Sequence, residues 1–118
     1  MILSLDVTNK EQFITAYLDI WIGSFKLTDK ERIVLKELLL IYLQLQEDNL
    51  QPKYINKLLF STENRKIVRE NVNLSEAGLN NYFTQLKDKN VIFEENKELS
   101  INSFLVPVIE VTFKFNIK

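Results

Sequence analysis

A chain of 118 residues with 46% apolar side chains can fill one compact core and is too short to make two domains. Its net charge of −1 gives no bulk attraction to nucleic acid. With no cysteine and no histidine, it has no disulfides, no thiolate nucleophile, none of the usual zinc ligand sets and no imidazole acid–base chemistry.

In chain order, Met1, Leu3, Leu5 and Val7 alternate with Ser4 and Asp6, which predicts a strand over residues 2–7. Thr8 and Glu11 have capping-box spacing, and Phe13, Tyr17, Ile20 and Trp21 form an apolar stripe, so a helix is expected over about 9–22, ended by Gly23 and Ser24. A second capping box, Thr28 with Glu31, opens a helix over 29–47. Its middle, Leu38 to Leu43, is apolar on nearly every side and must be sandwiched by neighbours. A buried strand is the rival there, but the cap, Lys36-Glu37 and Leu45-Gln46-Glu47 carry the segment past strand length. Pro52 suits the first turn of a short helix over 53–60, with Tyr54, Ile55, Leu58 and Leu59 as its inner face.

Ser61 or Thr62 caps the next helix, 63–71, whose buried side is given by Ile67, Val68 and Val72. Asn73 makes a turn, Leu74 plugs the junction, and Ser75 caps a helix over 76–89. Leu79, Tyr82, Phe83 and Leu86 recur there at intervals of three and four, leaving Glu76, Asn80, Asn81, Thr84, Gln85 and Asp88 outward. That inner stripe should pack on Leu38, Ile41, Tyr42 and Leu45. Val91 to Phe93 and Leu99 to Ile101 read as strands around a polar turn, Glu94 to Glu98, and Asn102 to Pro107 as loop or a loose strand end. Last, Ile109, Val111, Phe113, Phe115 and Ile117 alternate strictly with polar residues, the clearest strand signal in the chain.

The order from Arg65 to Ile101, with its helix, turn, Leu-Ser pair, second helix and hairpin, resembles the winged helix-turn-helix family. Two departures share one reading: where that family commonly has glycine, this chain has Asn73 and Asn90, and asparagine is the next best residue for a left-handed backbone. The resemblance implies an α+β fold of four to five helices with a small antiparallel sheet, made from the wing hairpin and the N- and C-terminal strands. All of residues 1–118 then form a single domain, with an N-terminal strand and helix over 1–27, core and wing over 28–102, and a C-terminal strand over 103–118.

Winged helices bind DNA, RNA or other proteins, so the resemblance leaves function open between two classes. The first is a non-enzymatic DNA-binding regulator that inserts helix 76–89 in the major groove. Asn80, Asn81 and Gln85 are then candidates for base contact, and Ser75 with the helix amino terminus for phosphate. Arg65, Lys66 and Arg69, with Lys57, Lys87 and Lys89, are candidate phosphate contacts, because residues 53–90 carry seven basic against four acidic side chains. For all of these, a solvated polar surface is the plain alternative. So few cations imply a homodimer or higher oligomer, and the acidic turn Glu94 to Glu98 would repel a phosphate backbone.

The second class is a structural or adaptor protein that uses the same fold for protein contact in a larger assembly, such as a phage particle. Neither class calls for a cofactor or a metal: Glu47-Asp48 and Glu94-Glu95 are ordinary surface pairs, and two glycines make no phosphate loop. No run of about 18 apolar residues occurs, and the start MILSLDVTNK has no export signal, so the expectation is a soluble, cytoplasmic chain without a membrane partner.

Overall fold

The computed structural model describes residues 10–106. The strands expected over 2–7 and 109–117, the Thr8–Glu11 cap, Pro107, and the side chains of Phe13, Ile20 and Trp21 lie outside what is described. Five helices are followed by a two-stranded antiparallel sheet, an α+β arrangement.

Helix α1 runs from Lys10 to Phe25 and buries Ile14, Tyr17 and Leu18. It passes through Gly23 and Ser24, the expected stop. One helical glycine costs only about 1 kcal/mol, and the chain leaves the helix instead at Lys26, with φ 54°. Helix α2, Asp29–Glu47, starts on the expected capping box: the Thr28 hydroxyl accepts from the Glu31 N–H at 3.2 Å, and the Glu31 carboxylate accepts from the Thr28 N–H at 2.8 Å. Val34, Leu35, Leu38, Leu39, Tyr42 and Leu43 are buried, and Leu40, Ile41 and Leu45 pack partly buried around them. As its all-round apolar middle demands, α2 touches α1, α3, α4 and α5.

Helix α3, Pro52–Leu59, buries Ile55 and Leu59 but not the whole expected face, since Tyr54 is 54% and Leu58 43% exposed. Eight residues give a single i, i+4 stripe, and its neighbours on the helix turn about 100° away from the core. The same correction applies to α4, Thr62–Val72, capped by Ser61. Val68 is its buried residue, Val72 is half-buried, and Ile67 is 45% exposed.

Asn73 takes the left-handed conformation, φ 56° and ψ 53°, and lets the Leu74 N–H reach the Arg69 carbonyl at 2.9 Å. Half-buried Leu74 packs on the core between α4 and α5, Glu76–Asp88. Asn90, φ 63°, ends α5 in the same manner, with the Val91 N–H bonded back to the Leu86 carbonyl at 2.9 Å.

Strands β1, Ile92–Glu95, and β2, Glu98–Ile101, pair Ile92 with Ile101 and Glu95 with Glu98. The turn is therefore two residues, Asn96 and Lys97, both at positive φ, and not the longer polar loop expected. A 3₁₀ turn, Ser103–Leu105, follows in place of loop and buries Leu105. The Tyr17 hydroxyl donates to the Phe104 carbonyl at 3.3 Å and ties this end to α1.

Candidate functional site

The two sides of α5 differ in kind. Leu79, Phe83 and Leu86 are buried and Tyr82 is half-buried, so the core fixes the helix's rotation. Asn80, Asn81, Thr84 and Gln85 are consequently held out to solvent. Asn80 and Thr84, and Asn81 and Gln85, are stacked one turn apart and form a single polar strip. The Thr84 hydroxyl is spent on the Asn80 carbonyl at 3.1 Å. The side-chain amides of Asn80, Asn81 and Gln85 make no hydrogen bond among the described residues, so each keeps a donor and an acceptor to offer. At the amino terminus of α5, the exposed Ser75 hydroxyl accepts from the Gly78 N–H at 3.0 Å, as the expected cap.

The cations are distributed differently from the expectation. Arg65 is half-buried: its Nε donates to the Phe60 carbonyl at 2.8 Å, and its guanidinium lies 5.6 Å from the Phe83 ring centroid. Phe60 meets the same ring edge-on at 5.5 Å. Arg65 thus locks the junction of α3, α4 and α5 and is only in part available to a phosphate. Lys66 is exposed and Arg69 half-buried; at i and i+3 they share one side of α4.

Lys87 and Lys89 are structural ties and not the free phosphate contacts expected of them. Lys87 pairs with Glu94 at 3.1 Å, joining α5 to the hairpin. Lys89 pairs with Glu31 and donates to the Lys26 carbonyl at 2.8 Å, joining α5 to the start of α2. Glu31 is 1% exposed. Burial raises its carboxyl pKa, but the Lys89 ammonium and the Thr28 N–H and hydroxyl outweigh that and hold it below the usual range.

Two contributors had no sequence signal. The Asn56 amide bridges α3 and the hairpin, accepting from the Ile101 N–H at 2.9 Å, and the Asn102 amide donates to the Asn90 carbonyl at 2.9 Å. Their partners are distant in sequence, and spacing rules reach only one or two helical turns.

Among the described residues, no three potential metal-ligating side chains cluster, and no helix is long and apolar enough to cross a membrane. Comparison of the chain with protein-family models, with curated proteins and with solved structures gives no match.

Proposed function

We propose that this chain is a non-enzymatic winged-helix protein that binds nucleic acid, DNA in preference to RNA, and acts as a regulator. The observation that carries the reading is the strip of unengaged amides on α5, Asn80, Asn81 and Gln85, held outward by a helix whose other side is in the core. Carboxamides pair in a bidentate way with adenine edges in the major groove, which is wide enough for a helix. The left-handed Asn73 between α4 and α5, and a hairpin directly after α5, support the winged-helix assignment. Phosphate contact falls mainly to Lys66 and Arg69, with Ser75 at the helix amino terminus and a share from Arg65. So small a set of cations calls for two copies on a duplex.

Fluorescence anisotropy with random and selected duplexes tests this. Binding that strengthens from about 200 mM to about 50 mM salt supports it, and no binding at the lower concentration sinks it.

A second reading, an adaptor that contacts protein, is favoured by a separate observation. Tyr54 and Leu58 form an exposed apolar stripe at i, i+4 on α3, and Phe93 is 46% exposed on β1. Such an adaptor would sit in a larger assembly, a phage particle being one setting. Light scattering showing a monomer with no affinity for duplex DNA would favour it over the first.

A further inference from the structure

The hairpin has one edge that is partly sealed and partly open. The Asn102 N–H bonds to the Val91 carbonyl at 2.9 Å, which sets the phase of the ladder. Phe93 with Ser100 and Glu95 with Glu98 are then the hydrogen-bonded pairs, and Leu99 and Ile101 direct their backbone groups away from β1. The Ile101 N–H confirms the direction, since it donates to the Asn56 side chain on α3. Asn56 is itself held by donating to the Pro52 carbonyl at 2.9 Å, so a fixed amide takes the place of a third strand at that one position.

Two residues along, Leu99 has no such cap among the described residues. It lines a cavity of about 460 Å³ between β2 and α3, where a strand edge without a further strand among the described residues meets a concave surface. The helical wall of the cavity carries Lys53, Lys57 and Arg65, three cations from α3 and the start of α4, and the hairpin wall adds Lys97 against Glu95 and Glu98, so the lining keeps two positive charges in excess.

We propose that this edge of β2 docks an extended, acidic segment of a partner protein, which adds as a third strand beside Leu99 in the cleft against α3. Backbone bonding to Leu99 supplies the pairing, and carboxylates at alternate positions answer Lys53 and Lys57, with a share from Arg65. The proposal goes beyond nucleic-acid binding and does not depend on it, because no residue of the α5 amide strip lines the cavity.

The probe is an acetylated, amidated octapeptide of alternating valine and glutamate, added to the ¹⁵N-labelled full chain. Saturable shifts at the Leu99 and Ser100 amides are expected, with Leu99 amide exchange slowed at least about tenfold by the added strand. Lys53→Glu with Lys57→Glu should weaken binding about tenfold; both side chains are exposed, so the fold is expected to persist, and unchanged core amide shifts check that it does. Methylating the peptide nitrogens that face β2 should abolish binding, while methylating the alternate set should not.

Protection of the Leu99 amide before peptide is added, meaning that the chain's own segments or a second copy already cover the edge, overturns the proposal. So does a peptide that leaves Leu99 unmoved. Equal affinity for a single-stranded oligonucleotide of matching charge, or for the lysine counterpart of the peptide, overturns it as well.

Discussion

The carboxyl end of α5 and its exposed face handle their charged and polar side chains in opposite ways. Near the carboxyl end of α5, every basic group has an assigned partner: Lys87 is paired with Glu94, and Lys89 is shared between Glu31 and the Lys26 carbonyl. On the open side of α5, Asn80, Asn81 and Gln85 are fixed in place by the core behind them yet bound to nothing described. Formal charge is therefore a poor guide to where this molecule can bind. Lys87 and Lys89, which look like surface contacts, are consumed in holding α5 against α2 and the hairpin, while neutral amides stay available.

Breaking the fixed side should have the largest effect. Leu86 is fully buried, and Leu86→Ala should cost roughly 2–5 kcal/mol by leaving a cavity between α5 and its neighbours. Chemical denaturation would show it as a lowered midpoint with little change in slope. A loss under about 0.5 kcal/mol, the usual surface value, would mean that α5 is rotated from the orientation described.

The paired end gives the next effect, and it depends on pH. Glu31→Gln removes a buried carboxylate hydrogen-bonded to Lys89 and Thr28. Charge-assisted hydrogen bonds of this sort contribute about 1.5–3 kcal/mol, so a loss near 2 kcal/mol is expected at neutral pH. The folded-state pKa of Glu31 is depressed, so its stabilisation is complete above the unfolded glutamate value, about 4.3, and disappears as pH falls through the lower folded value. Parent and variant should accordingly draw together as pH falls below the unfolded value and converge once it has passed the lower folded one. A difference that stays constant down to pH 3 would remove Glu31 ionisation from the explanation.

A smaller change separates turn chemistry from packing. Asn73→Ala places a Cβ-bearing residue without asparagine's local hydrogen bonding at φ 56° and should cost about 1 kcal/mol, whereas Asn73→Gly should be neutral or slightly stabilising. Equal losses from both would show that the Asn73 side chain, and not its backbone, supports the turn.

These effects parallel what could be read in the sequence. Caps and turns are local: Thr28 with Glu31, Ser75, Asn73 and Asn90 each act within one helical turn, and each stands as its spacing indicates. The rotation of a long amphipathic helix is nearly as accessible, because the stripe of Leu79, Phe83 and Leu86 repeats often enough to be unambiguous. Short helices lack that redundancy, which is why Tyr54, Leu58 and Ile67 are exposed where a pattern of apolar residues suggested burial. The position of a charge was legible but its occupation was not. The partners of Arg65, Lys89 and Asn56 come from other elements, and nothing in the local pattern distinguishes a free cation from one already bonded.

The smallest expected effect on stability belongs to the open strip of α5, and it bears most directly on function. Asn81→Ala should change stability by no more than about 0.5 kcal/mol, because the side chain is exposed and unengaged. If the strip reads bases, selecting a site from a random duplex pool and then titrating parent, Asn81→Ala and the pair Lys66→Glu with Arg69→Glu will separate two kinds of loss. Asn81→Ala is expected to erode preference for the selected site by roughly 1–3 kcal/mol while leaving nonspecific binding and its salt slope nearly intact. The charge reversals should weaken binding to all sequences alike and flatten the salt dependence. Failure to enrich any site, with the parent and both variants indistinguishable, would contradict a nucleic-acid role for α5.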